Sequence, residues 1–370
     1  MLKILPTLDA NSIHAVVTDP PYNLDSIAKR FGSSTAAAVK PGKTGAYARS
    51  SKGFMGMRWD TDIAFQVETW AEVIRVMRPG AFMVAFASTR GYHRMTCAIE
   101  DAGFIIHPMI GWLFASGFPK ATRFKLPDME GFRYGLQALK PALEPICFAQ
   151  KPMEGTGNEN WTKWGCGGLN IEAARIEADG RPERTKLSGL PDVDGKKVYG
   201  SGLSPGSRAT GMTDLGRWPA NLAHDGSDEV MEAFAAFGER QGQQGRAKTD
   251  GTETGNKVFG ALRNRTINPE PRRDTGTAAR FFYCAKASKA DRAGSGHPTV
   301  KPLALMDWLV KLITPPGGTI LDPFAGSGAT LCAADRLQFD AIGIEQSAEY
   351  VADIHRRLHL DAGMFAEVAI

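Results

Sequence analysis

The chain has 370 residues, 43% hydrophobic and 23% charged, the balance of a globular protein with a full core and not of a disordered or fibrous one. Lys and Arg total 44 against 40 Asp and Glu, so the net charge is only +4 and any polyanion must be met by a local patch. The five cysteines (97, 147, 166, 284 and 332) lack paired short spacing, which argues against a disulfide framework or a zinc site and fits a reducing cytosol; no signal peptide opens the chain, and no apolar run is long enough to span a membrane.

Residues 13–17, Ile-His-Ala-Val-Val, read as a short buried strand that ends in Thr18-Asp19-Pro20-Pro21-Tyr22. Each proline fixes its own φ, and Pro21 also keeps Pro20 out of the helical region. The result is a stiff turn at the carboxyl end of a strand, where open α/β sheets bind ligands. The Asp19 carboxylate and the Pro20 carbonyl can accept two hydrogen bonds from an exocyclic NH2, and the Tyr22 ring can stack on a planar heterocycle. Taken alone, Asp-Pro-Pro-Tyr is also an ordinary turn.

Residues 23–58 form a Gly-, Ala-, Ser- and Lys-containing stretch with one acid, Asp25, among seven cations. It reads as a loop beside Asp19 that either closes on a phosphate backbone or is a solvated linker. Val67, Trp70, Ile74 and Met77 recur at helical spacing, and Arg78-Pro79-Gly80 stops that run. A strand over 82–87, a helix over 89–102 ended by Gly103, strand segments at 105–106 and 109–114 broken at Pro108, and a strand over 145–149 follow. The alternation predicts an α/β fold with a mainly parallel sheet.

From 151 to about 279 the pattern dissolves, with one short helical period over 229–237 and no convincing strand. Residues 240–280 carry nine cations against four acids. A structureless loop of this length inside one domain is improbable, so an inserted basic module over 151–280 is expected. The acids of Pro191-Asp192-Val193-Asp194-Gly195-Lys196 crowd one turn with no strand to hold them and are not read as a metal site. Regular pattern returns at 281, with a helix over 305–312, a strand over 319–321, the turn Asp322-Pro323-Phe324-Ala325-Gly326-Ser327-Gly328, a helix over 329–337, a strand over 340–344 ending in Glu345, and a helix over 347–359.

Strand, glycine turn, helix, strand and terminal acid together are the pattern of a nucleotide-binding βαβ unit. Glycines let backbone approach a ligand, and Glu345 can accept both hydroxyls of a ribose. No Lys follows Gly328, so this is not a phosphate-binding P-loop. Two close glycines instead of three fit a nucleoside without a pyrophosphate.

Asp19-Pro20-Pro21-Tyr22, then His297-Pro298-Thr299-Val300-Lys301-Pro302, then Asp322 to Gly328, in that order, resemble the amino-group DNA methyltransferases of the permuted β type. The resemblance covers most of 12–150 and 281–357. It implies a Rossmann-like, circularly permuted sheet built from 1–150 and 281–370, with 151–280 as an inserted target-recognition region. It implies S-adenosyl-L-methionine as cofactor, DNA with a flipped target base as partner, no metal, and adenine N6 as acceptor, because Asp at position 19 favours adenine where Ser marks cytosine N4. The alternatives are cytosine-N4 transfer and a catalytically silent nucleic-acid-binding relative. Carried over, Asp19, Pro20, Pro21 and Tyr22 form the catalytic turn. Asp322, Phe324, Gly326, Ser327 and Gly328 line the cofactor, Glu345 binds its ribose, and His297, Thr299 and Lys301 sit by its methionine end. Family members carry an upstream strand ending in Gly-Asp, absent here, so either the start is truncated or Asp9 or residues 365–370 substitute. A homodimer, a cytoplasmic, nucleoid-associated location and a cognate endonuclease on a separate chain complete what the resemblance implies.

Overall fold

A computed structural model describes residues 1–22, 61–177, 181–186, 207–213, 216–239, 275–286, 291, 294–297 and 299–362. The loop expected over 23–58, the turn at 191–196, the cations of 240–274 and the tail 365–370 lie outside the described residues.

In chain order the elements are β1 (Ile13–Thr18), α1 (Val67–Val76), β2 (Met77–Phe86), α2 (Tyr92–Asp101), β3 (Ile105–Leu113), β4 (Lys120–Arg123), β5 (Arg133–Gln137), β6 (Leu143–Gln150), α3 (Gly157–Trp164), β7 (Arg181–Lys186), β8 (Ser207–Thr213), β9 (Leu222–His224), α4 (Asp228–Ala235), β10 (Tyr283–Cys284), α5 (Leu303–Ile313), β11 (Thr319–Asp322), α6 (Ala329–Arg336), β12 (Asp340–Gly343) and α7 (Ala348–Ala362). One sheet has the order β10-β9-β3-β6-β2-β1-β11-β12. It is mostly parallel, as expected, but β6 runs antiparallel to both β2 and β3.

Two compact units divide the chain. One takes in Met1–Ala174, Ala220–Val230 and Tyr283–Ile370; the other takes in Arg175–Pro219 and Met231–Phe282. In the second unit β7 and β8 pair antiparallel, and Ile176 bridges Arg217.

The first unit buries its sheet on both faces. Ala15 and Val17 of β1 face a core with Leu305, Leu309 and Leu312 of α5, while Val16 faces a second core with Trp70 and Val73 of α1. That two-sided burial is why β1 reads as a continuous apolar run without alternation. The three leucines sit on one helical face, as their spacing predicts.

Three local expectations change. Arg78-Pro79-Gly80 does not separate helix from strand: β2 begins at Met77, directly after α1. Pro108 does not break β3; the register to β6 shifts between His107 and Ile110, so the strand absorbs the proline as a bulge. The region from 151 holds β9, which joins the main sheet beside β3, and the β7–β8 pair. It also holds α3, opened by a capping box in which Thr156 accepts from the Glu159 amide and Glu159 from the Thr156 amide.

Asn160 of α3 ties this segment to β2. Its amide is fully buried; Nδ2 donates to Pro79 O (3.0 Å) and Cys166 O (2.8 Å), and Oδ1 accepts from the Glu154 amide (2.9 Å). A Cβ at Gly80 would stand 2.4 Å from Asn160 Nδ2, so glycine is required for this approach. Asn160→Ala should cost about 2–4 kcal/mol by leaving these buried partners unsatisfied. Urea denaturation measures it, and a loss under about 0.5 kcal/mol, the range of surface substitutions, would show that Asn160 does not hold the segment.

Candidate active site

Strands β1 and β11 are adjacent and parallel, with Ala15 opposite Ile320 and Val16 opposite Leu321. Parallel neighbours end on the same side of a sheet, so the turns after Thr18 and after Leu321 emerge together although 304 positions separate Thr18 from Asp322. Side chains stitch them. Thr18 Oγ1 donates to Asp322 Oδ1 at 2.6 Å, Thr330 Oγ1 donates to Val17 O at 3.1 Å, and the Phe324 amide donates to Asp322 Oδ1 at 3.1 Å. Asp322 is buried, and burial raises its carboxyl to about 6 against the lowering effect of these hydrogen bonds.

The Asp19 turn is held by a buried cation. Lys301, 5% exposed, places Nζ 3.0 Å from Asp19 Oδ2, 2.9 Å from Glu144 Oε2 and 3.2 Å from the Tyr22 hydroxyl, above the Phe86 ring at 4.7 Å. Tyr22 in turn donates to Asp19 Oδ1 at 2.7 Å. Burial by itself lowers the Lys301 ammonium, but Asp19 and Glu144 outweigh it and hold the group above the ordinary lysine value. Burial, with the charges of Asp19 and Glu144, pushes the Tyr22 phenol well above its usual range, so it stays a neutral hydroxyl. Two carboxylates and one ammonium leave this cluster with one negative charge. Among the described residues each Asp19 oxygen has one donor, Tyr22 on Oδ1 and Lys301 on Oδ2, where an ionised carboxylate offers about four acceptor sites.

The glycine turn supplies the other half. Gly326 (φ +51°) and Gly328 (φ +78°) both take the left-handed conformation that favours glycine. A Cβ at Gly326 would stand 3.2 Å from His297 Nε2, and one at Gly328 would meet Ile354 Cγ1 at 2.8 Å. Glu345 Oε2 accepts from the Gly326 amide (2.9 Å) and Oε1 from the Ser347 amide (2.8 Å). The carboxylate is thereby fixed with lone pairs left for a diol. His297 lies edge-on to Tyr350, with ring centroids 4.6 Å apart, and its Nδ1 is 3.1 Å from Thr299 O. Burial lowers its pKa, so the imidazole is neutral at pH 7. Arg357, buried, donates to the Ser327 carbonyl.

A cavity of about 1030 Å³ joins both halves. It is lined by Asp19, Pro20, Pro21 and Tyr22, by His297, Thr299 and Lys301, and by Asp322, Phe324, Gly326, Ser327 and Glu345. Gly328 is not in this lining; it backs onto α7 at Ile354. Lys301, expected beside a methionine end, is held against Asp19. Asp9 is exposed and lies outside the lining. Sequence reasoning missed Glu144, Tyr350 and the Thr18–Asp322 contact. A carboxylate at the start of the apolar strand 145–149 was the one signal for Glu144.

A family model for N6/N4 methyltransferases, described as DNA methylase, matches residues 13–356. The type II methyltransferase M.HindIII of Haemophilus influenzae is similar at 23% identity over 356 residues, 92% of this chain and 87% of that protein. The type II methyltransferase M2.MboI of Moraxella bovis is 44% identical over 63 residues, 17% of this chain and 23% of that protein. Among solved structures, the DNA modification methylase TTHA0409 of Thermus thermophilus, complexed with S-adenosyl-L-methionine, aligns at 17% identity and TM-score 0.43, covering 98% of this chain and 92% of that one.

The buried Asp322 carries a pH signature. Folded, it keeps its proton up to about pH 6; unfolded, it loses the proton near 3.8. Between those values the folded chain binds more protons at this site, so the contribution of Asp322 to stability is full below about pH 4 and about 3 kcal/mol of it is lost as pH rises through 6. Asp322→Asn should flatten that part of the pH–stability curve measured by urea denaturation. An unchanged slope would assign it to other groups.

Proposed function

The chain belongs to the N6/N4 DNA methylases, and from that footing we propose that it transfers a methyl group from S-adenosyl-L-methionine to the exocyclic N6 of adenine in DNA. S-adenosyl-L-methionine is the cofactor of this family, and the cavity suits it. Glu345, fixed by two backbone amides, fits a ribose diol. The Gly326 turn, whose Cβ would crowd His297, leaves room for a ligand against backbone. Phe324 and Ile344 give the lining an apolar part for a purine. The net negative Asp19–Glu144–Lys301 cluster complements a cationic donor. When bound, the cofactor supplies an electrophilic methyl group on a sulfonium.

The carrying observation is the Asp19 carboxylate, locked by Lys301 and Tyr22 on the wall of the cavity that also holds Glu345. An aromatic amine is a poor nucleophile because its lone pair is delocalised into the ring. Hydrogen bonds from the NH2 to Asp19 and to the Pro20 carbonyl favour a tetrahedral nitrogen and localise that pair for in-line attack. The carboxylate faces the positive charge that develops on nitrogen, and positioning and electrostatics supply most of the rate. The Tyr22 ring stacks on the base. Asp at position 19 supports adenine, since the family resemblance associates Ser there with cytosine N4.

The second compact unit, with the segments around it in 151–280, is the region we assign to target recognition. A cytoplasmic enzyme on nucleoid DNA, as a homodimer with any endonuclease on another chain, extends the same reading. Among the described residues no helix is long and apolar enough to cross a membrane.

Incubation of the protein with unmethylated duplex DNA and S-adenosyl-L-methionine, then nucleoside mass spectrometry, should yield N6-methyladenine; N4-methylcytosine instead would overturn the base assignment. Asp19→Ala should lower turnover at least about a hundredfold while calorimetry still detects cofactor binding. Full turnover in that variant would sink the mechanism.

A further inference from the structure

We propose that the β4–β5 hairpin, with its loop 124–132, docks duplex DNA beside the cavity and fills the space vacated by the target base. This rests on the DNA-methylase reading and adds to it the surface that meets the duplex. Among the described residues the two strands pair only with each other, Thr122 opposite Tyr134 and Arg123 opposite Arg133. Their base is part of the site, since Phe118, Lys120, Gly135 and Gln137 line the same cavity as Asp19. Their loop carries apolar side chains into solvent: Leu126 is 60% and Phe132 65% exposed. On the same hairpin the Phe124 and Tyr134 rings pack with centroids 4.7 Å apart.

A lone two-stranded hairpin is marginal in water, and exposed aromatic and aliphatic groups clustered on one mark a surface that meets a partner. The charge says which partner. Residues 118–140 hold five Lys and Arg against two Asp and Glu, and with Lys140 paired to Glu229 at 3.2 Å a local excess of positive charge remains. Arg123, Lys125 and Arg133 lie exposed at the loop's two ends, on either side of Leu126 and Phe132. Cations flanking apolar wedges suit a duplex, in which phosphates attract the first and an opened base step receives the second. Extruding a base costs a few kcal/mol, and an apolar group that replaces it in the stack offsets part of that.

Two variants test this. Arg123→Ala/Lys125→Ala/Arg133→Ala should weaken binding of a fluorescent duplex and lower the slope of log K against log salt by about 2–3, roughly one for each phosphate that no longer meets a cation. Leu126→Ala/Phe132→Ala should cut methylation of a fully paired duplex about tenfold or more, yet stay within about twofold on a duplex with the target base opposite an abasic site, where extrusion is cheap. Calorimetry with S-adenosyl-L-methionine should be unchanged in both, which checks that they fold. An unchanged salt slope, equal losses on the two duplexes, or no loss on either would overturn the proposal. So would light scattering that shows a dimer dissociated by Leu126→Ala/Phe132→Ala, because the loop would then cover a second copy. If the unaltered protein methylates no DNA, the assigned activity fails while the salt slope still decides the hairpin.

Discussion

A buried ammonium sets the terms for the site. Moving Lys301 out of water costs several kcal/mol unless opposite charges and hydrogen bonds meet it. Asp19, Glu144 and the Tyr22 hydroxyl meet it, all within 3.2 Å. The end of β1, the start of β6 and the segment before α5 must therefore converge, and the orientation of Asp19 is fixed from a residue far along the chain. The same pairing leaves the cluster with one negative charge and with acceptor sites open to the cavity. A carboxylate aimed in advance does not have to be reoriented when a hydrogen-bond donor enters the cavity, which is the physical content of preorganisation here.

The second constraint is the parallel pairing of β1 with β11. It brings the Asp19 turn and the glycine turn to one end of the strands, and Thr18, Asp322 and Thr330 lock them there. On the other side Glu345 is tied to both the glycine turn and the start of α7 through the Gly326 and Ser347 amides. The glycine turn and the Asp19 turn thus share one hydrogen-bonded frame, in which Asp322 holds both Thr18, next to Asp19, and Phe324.

Much of this was legible in the residues. Prolines at 20 and 21 constrain their own backbone, the 13–17 run marks a strand buried on both faces, and the leucine spacing marks α5. Gly326 and Gly328 announce a turn that only glycine adopts easily. These signals act within a few positions of the chain. Glu144 was not legible as a site residue, because its importance comes from Lys301, a neighbour in space alone. β9 is too short to show a period, and β7 and β8 lack apolar alternation, so their pairing left no pattern. Pro108 looked like a break because sequence shows the missing N–H but not the bulge that absorbs it. The Thr156–Glu159 capping box was visible and went unread amid polar, glycine-rich surroundings.

The order of residues along the chain carries the alternating elements, the turns at 18–22 and 322–328, and the motifs that mark the family. The elements and turns follow from local backbone restriction and apolar periodicity; the family follows from the resemblance of the motifs. Only the tertiary structure decided that β1 lies beside β11, that β6 enters antiparallel between β2 and β3, that Lys301 clamps Asp19, and that Gly328 backs α7 while Gly326 faces the cavity. The reason is physical. Strand pairing is made by backbone groups common to all residues but proline, and a buried charge takes its partner from whatever the fold brings near, so neither is written in the spacing of side chains along the chain.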